Sequence, residues 1–533
     1  MLNYKSLKTL GVLIAKRTLC YTLNSLAYLM SFLFQPKRSQ IPVIDDHNLV
    51  TPAIKLSQQI KAGHISSEEV VESFINRIKL INPIINAVVD RRFELALSRA
   101  RAIDRKLEEA RDNDDADQSM MKLPLVGVPV SVKETIAMDG YSFTGGVIGR
   151  RHVKAPRTAE VVQLLLKNGL VPIATTNVPE LAMWWDSSNP VYGTTNNPYD
   201  LTRIPGGSSG GEAALIAAGG SVVGIGSDLA GSIRIPANFC CLFGHKPTPW
   251  IVPNDGMYPT VGGVREKLFG VGPITRYACD LKPMLKIMAG PKADRLKLDE
   301  PVDLSKLKIY YVEELGDAMA LECNTDILEG MHNAIDRLAN KYKCHVEKIF
   351  IEEFRHGFSL WSAEANAEPD APSFASQLGD ASGSDFSPLL ELGKKLFNSS
   401  DHNMGSILAS ALDQFAPESG SSESLSLSQQ AADLRKRLNA LLGDYGILMV
   451  PTHPEPAPEH HTTYLKVFNI AYTSVTTVLQ APITQVPLGL SKEGLPYGVQ
   501  LVARPLNDRL PLAVALEIEK LIGGWQPPCR IDL

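Results

Sequence analysis

Residues 204–247 read IPGGSSGGEAALIAAGGSVVGIGSDLAGSIRIPANFCCLFGHKP, and no other part of the chain restricts its fold so tightly. Glycine and serine crowd two turns on either side of a small-residue helix, where backbones can approach closely. Such turns expose backbone amides, which serve tight helix-on-sheet packing and the binding of a developing negative charge equally well. The segment is not a P-loop, because no Gly-Lys-Ser/Thr follows, and 206–211 does not match GxGxxG with a ribose-binding acid. The letters GGSSG at 206–210 fit the nucleophile elbow G-x-S-x-G, but NPYDLTRIP before them is no buried strand and no histidine is placed as a base.

Around this segment the hydrophobic pattern alternates between helix and strand. Residues 64–80, HISSEEVVESFINRIKL, combine a capping box of Ser66 and Glu69 with Val70, Val71, Phe74, Ile75 and Ile78 at helical spacing. An apolar run at 124–132 ends at Lys133, 158–167 reads as a helix, and 170–175 reads as a second buried strand. Leu512 to Ile522, with Pro511 at its start, reads as a closing helix. This alternation predicts an α/β layer fold with a largely parallel sheet. With 44% hydrophobic and 21% charged residues among 533, the chain has a globular composition and is not disordered as a whole. A mean hydropathy of -0.03 excludes a multi-span transporter. The 53 basic and 58 acidic residues leave a net charge of -5, so nucleic acid is not an expected partner.

Serine chemistry without histidine needs another base. Lys133 closes the apolar strand VGVPVSVK, where burial disfavours the ammonium and leaves an amine able to accept a proton. A Ser-Lys mechanism is therefore chemically reasonable. The seven cysteines form no CxxC pair. The His460-His461 pair lacks spaced acidic or cysteine partners, so no metal is expected. Met183, Trp184 and Trp185 are read as core or pocket lining, and Glu134 as a supporting or surface ion beside the lysine.

With Lys133 and the Gly/Ser-rich segment in these positions, the chain resembles the amidase signature family. The diagnostic segment matches 205–236 almost continuously, and 75 positions separate Lys133 from Ser208 and 24 separate Ser208 from Ser232. The resemblance implies an amidase signature fold, a central mixed β-sheet covered by helices on both faces. It also implies a Ser-Ser-Lys triad: Ser232 in DLAGSIR as nucleophile, Ser208 as the bridging serine and Lys133 as base. Leu229, Ala230, Gly231 and Ser232 would supply oxyanion amides, with Ala230 departing from the commoner glycine, and Ser209 would support the network. The family needs no cofactor. Segments such as PTHPEPAPEHH and LPYGVQLVARPLNDRLPLAVA, together with His245 in GHKP, place the resemblance in the fatty-acid amide branch. The implied substrates are long-chain primary amides and N-acylethanolamines. The alternatives are an amidase for small or aromatic amides and a glutamine amidase like the amidotransferase A subunit. A homodimer is compatible with this reading.

The expected domain layout is a basic segment 1–17, a transmembrane or membrane-anchor helix 18–34, a linker 35–45 and an amidase domain 46–533. The 18–34 stretch is uncharged but short for a span, and Thr22, Asn24 and Ser25 weaken it, so an interfacial helix or signal peptide are the competing readings. A single pass, with Lys5, Lys8, Lys16 and Arg17 before it, would leave the catalytic region on the lumenal side of an internal membrane and make Asn398 a glycosylation acceptor. Ser-rich stretches at 373–387 and 417–428 are read as surface insertions.

Overall fold

The computed structural model describes residues 4–31, 41–113, 116–368, 372–383 and 385–533. Its thirteen described strands are β1 (Val88–Arg91), β2 (Pro129–Lys133), β3 (Val171–Thr176), β4 (Ser188–Asn189), β5 (Gly193–Thr194), β6 (Val223–Asp228), β7 (Phe243–Lys246), β8 (Gly270–Thr275), β9 (Lys308–Tyr311), β10 (His345–Lys348), β11 (Gly446–Pro451), β12 (Ile483–Leu490) and β13 (Pro496–Val502). β4 and β5 form a small hairpin. The other eleven make one sheet in the order β1-β3-β2-β6-β8-β7-β12-β13-β11-β9-β10.

The sheet is mixed, not largely parallel. Only β2 with β3, β2 with β6, β9 with β10 and β9 with β11 run parallel. The antiparallel β12–β13 pair is joined by a short turn at 491–495, where no crossover helix fits, and β8 returns antiparallel to both β6 and β7. Alternating side chains of β11 show that both faces are covered. Ile447 and Met449 join the core that contains Phe74, Leu285 and Ile518, while Leu448 and Val450 join a second core with Leu434, Leu438 and Tyr472.

Local signals explain the elements nearest the site. The helix Ser67–Ile85 starts in the expected capping box, where the Ser66 hydroxyl accepts from Glu69 N–H and the Glu69 carboxylate accepts from Ser66 N–H at 2.7 Å. Every residue of β2 is buried, the property of a parallel strand covered on both faces. β2 and β6 run side by side with Val132 opposite Ile225, so Lys133 and Ser227 emerge at the same carboxyl edge. This is the edge where open α/β sheets carry their ligands.

At the periphery the Ser-rich stretches form helices, and the membrane expectation changes. The serines of the 373–387 and 417–428 stretches include helix N-caps: Ser373 accepts from Ser376 N–H and Ser421 from Ser424 N–H, starting the helices Phe374–Ser382 and Ser422–Leu442. The expected membrane span is not found: among the described residues, no helix is long and apolar enough to cross a membrane. The expected 18–34 stretch falls in the helix Tyr4–Ser31, its last residues lying outside those described. This helix docks on the catalytic body. Arg17 donates to Asp317 O at 3.2 Å and Ala320 O at 3.0 Å and pairs with Glu322, and Cys20 Sγ lies 3.2 Å from Met319 O. The described part of the 18–34 stretch carries the polar residues Thr22, Asn24 and Ser25, with Lys16 and Arg17 just before it in the same helix, and gives the single pass no support. The inferred lumenal orientation depended on that span and loses its basis with it.

Candidate active site

At the end of β2, Lys133 is completely buried. Its Nζ lies 2.7 Å from Ser208 Oγ, 3.0 Å from Ser227 Oγ and 3.5 Å from Ser227 O. Burial pulls the ammonium down to about 7, against the opposing charges of Asp228 and Glu212. Glu212 accepts from Ser131 Oγ at 2.5 Å and Thr176 Oγ1 at 2.8 Å, and burial raises its carboxyl to about 8. The lysine is thus held where the neutral amine is accessible near physiological pH.

Ser208 precedes the helix Gly210–Ala217, and the Gly207–Ser208 peptide is cis. A side chain at Gly207 would come within 2.9 Å of Asp186 N and Trp184 O, so the turn can pass only as glycine. Ser209 N–H donates to Ser232 O at 3.1 Å, tying the two serine turns together. Ser209 Oγ also stands 3.4 Å from both Ser227 N and Ser227 O.

The turn 229–232 is organised by Asp228. Its carboxylate accepts from Gly231 N–H at 2.8 Å and Ile233 N–H at 3.1 Å, and from Arg234 Nε at 3.0 Å and Nη2 at 2.9 Å. Burial alone would raise this carboxyl, but Arg234 overrides it and holds it at about 2. Of the four expected oxyanion amides, that of Gly231 is therefore committed to Asp228. Those of Leu229, Ala230 and Ser232 meet no acceptor among the described residues. Gly231 has φ 131° and a Cβ there would fall 2.3 Å from Thr473 Oγ1, whereas Ala230 is not left-handed and its methyl is tolerated. The Thr473 hydroxyl donates to Ala230 O at 2.6 Å. Asp228, Arg234 and Thr473 escaped the sequence reading. The acid and the base that open and close DLAGSIR within an apolar stretch were the available signal for the first two.

Two cavities meet at Ser232. The larger, with about 790 Å³ of empty space, is walled by apolar groups including Trp184, Phe358, Trp361, Leu412 and Ile470. The second, about 610 Å³, contains Ser208, Ser227 and Ser232 and carries Thr260, Arg265 and Gln377 on its wall. Phe374 borders both, so the 373–387 stretch helps to build the site. Met183, Trp184 and Trp185 line the apolar cavity. Among the described hydrogen bonds none joins Ser208 Oγ to Ser232 Oγ; the two hydroxyls share one cavity wall.

The other singled-out residues stand apart. Glu134 is fully buried, not a surface ion: it accepts from Thr144 N–H at 2.5 Å, Thr144 Oγ1 at 2.7 Å and Gly145 N–H at 3.0 Å. His245 bonds Thr484 and Asp508, and His460 belongs to no metal-ligating group among the described residues.

The family description "Amidase" matches residues 69–512, which include the whole of this site. The chain belongs to the amidase signature family. It is a hydrolase acting on amide bonds. This amidase is 40% identical over 509 residues to fatty-acid amide hydrolase 2-A of Danio rerio, covering 94% of the chain and 95% of the relative. It is 41% identical over 485 residues to fatty-acid amide hydrolase 2 of Homo sapiens, covering 90% of each. A solved structure of fatty acid amide hydrolase superposes with a TM-score of 0.72 over 90% of this amidase and 86% of that chain, at 21% identity. At that identity the superposition speaks for the fold alone.

Proposed function

We propose that this amidase cleaves long-chain fatty-acid amides, both primary amides and N-acylethanolamines, into a fatty acid and ammonia or an amine. The observation that carries the reading is the apolar cavity opening at Ser232, which suits an acyl chain, beside a smaller and more polar cavity that suits the amine. Each buried methylene contributes about 0.8 kcal/mol, so an apolar channel favours long chains strongly. The likeness to two fatty-acid amide hydrolases over most of the chain supports the same substrate class.

In this reading the neutral Lys133 amine takes the Ser208 proton while Ser208 Oγ takes that of Ser232. Ser232 Oγ attacks the amide carbonyl, and the free amides of Leu229, Ala230 and Ser232 receive the oxyanion. The relay then runs backwards. The leaving nitrogen takes the proton, the C–N bond breaks, and water releases the fatty acid from the Ser232 ester along the same path. None of these steps calls on a cofactor.

The membrane enters the reading as a surface. The docked N-terminal helix leaves Val12, Leu13, Ile14, Leu19, Leu26 and Leu29 exposed, apolar surface that suits contact with lipid.

The test is a chain-length series with Ser232→Ala as control. Efficiency should climb from acetamide to oleamide, and Ser232→Ala should lose both turnover and fluorophosphonate labelling. Equal efficiency along the series would return the small-amide alternative, and labelling that survives in Ser232→Ala would remove Ser232 as nucleophile.

A further inference from the structure

Lys133 has three oxygen neighbours, and two belong to a single residue outside the triad: Ser227 Oγ at 3.0 Å and Ser227 O at 3.5 Å. A neutral lysine amine carries two N–H groups and one lone pair. If the lone pair turned toward Ser227, the amine could not accept a proton from Ser208. We infer that Ser227 is a positioning residue that occupies both N–H groups of the neutral Lys133 amine and so aims its lone pair at the Ser208 hydroxyl, 2.7 Å away.

Ser227 is well held for this task. It lies in β6 opposite Val271 of β8, its backbone N–H faces Ser209 Oγ at 3.4 Å, and it is only 5% exposed. Its carbonyl has one further neighbour, Ser209 Oγ at 3.4 Å. Its hydroxyl has no described partner other than Lys133, so the orientation of the amine depends on it directly. The charged groups acting on Lys133 are Asp228 at the end of β6 and Glu212 on the helix Gly210–Ala217. A substitution of the Ser227 side chain removes neither carboxylate.

The inference rests on Lys133 acting as the base, and it carries a signature that a merely structural role lacks. Removing the Ser227 hydroxyl takes away an acceptor that stabilises the ammonium more than the amine, because hydrogen bonds from a charged donor are the stronger ones. The acidic limb of the pH profile must then move to lower pH. At the same time the rate on the plateau must fall, because the lone pair is no longer aimed.

The experiment compares wild type, Ser227→Ala, Ser227→Thr and Lys133→Ala, using oleamide kcat/KM from pH 5 to 10 normalised to Ser232 titrated with fluorophosphonate. Titrating the active sites removes any misfolded fraction from the comparison. Ser227→Ala should lose about tenfold on the plateau, the worth of one ordinary hydrogen bond, with its acidic limb displaced to lower pH. Ser227→Thr, which keeps a hydroxyl, should restore both. Wild-type rate and limb in Ser227→Ala, or a Ser227→Thr enzyme as impaired as Ser227→Ala, would overturn the role of Ser227 while a slow Lys133→Ala enzyme left the base in place. A Lys133→Ala enzyme at wild-type rate would overturn both.

Discussion

Arg234 grips Asp228 with two nitrogens, Nε at 3.0 Å and Nη2 at 2.9 Å, and both side chains are fully buried. The pair fixes the turn that presents Ser232, since the same carboxylate holds the amides of Gly231 and Ile233. Arg234→Met would strand a buried carboxylate, a change that costs about 3–5 kcal/mol. The expected result in a denaturation midpoint is a large loss of stability, together with loss of fluorophosphonate labelling at Ser232. Unchanged stability and labelling would show that the turn holds without the pair.

In the proposed mechanism the Lys133 amine sets a pH limb. With its ammonium lowered to about 7 by burial, the proposed base is protonated in acid and free above that value. In the wild-type enzyme kcat/KM should therefore rise with pH through a limb near 7 and level off. Lys133→Ala should lose orders of magnitude at pH 7 and recover part of the rate at high pH, where hydroxide replaces the base. A Lys133→Ala enzyme that kept the wild-type limb would assign that limb to another group.

Ala409 offers a test of the acyl cavity. It sits in the wall of the apolar space, on the helix Met404–Asp413. Ala409→Phe would take room from the chain, and each displaced methylene costs about 0.8 kcal/mol, roughly a fourfold loss in kcat/KM. Oleamide hydrolysis should fall at least about tenfold while a six-carbon amide stays within about twofold. Equal losses on both would place the acyl chain elsewhere.

The N-terminal helix gives a prediction about extraction. A helix docked through Arg17 and Cys20, too polar to span, should let the full-length protein leave membranes in alkaline carbonate. Deleting residues 1–34 should leave oleamide hydrolysis per labelled Ser232 unchanged, since Lys133, Ser208 and Ser232 lie downstream. Retention in the carbonate pellet would require a spanning segment.

Much of the site was legible because its chemistry is carried by short contiguous runs. GGSSGG and DLAGSIR carry the glycines and serines of tight turns, and the strand ending at Lys133 announces a buried amine. The Ser66 and Glu69 capping box placed a helix start for the same local reason. The mixed sheet was not legible, because strand direction depends on which partners meet, and β7 pairs with β12 across more than two hundred residues.

By itself, then, the sequence determined the α/β alternation and the glycine- and serine-rich turns, which follow from neighbours within a few positions along the chain, while the triad of Lys133, Ser208 and Ser232 was read from the resemblance to a family. Only the tertiary structure decided what those groups can do. The lowering of Lys133 sums the desolvation from every element packed around it, and the grip of Arg234 on Asp228 draws further partners from Thr473, Thr476, Thr477 and Gln500. The docking of the N-terminal helix depends on Asp317, Ala320 and Glu322, some three hundred residues away. Solvent exclusion and long-range contact are properties of the assembled volume, and a local pattern does not encode them.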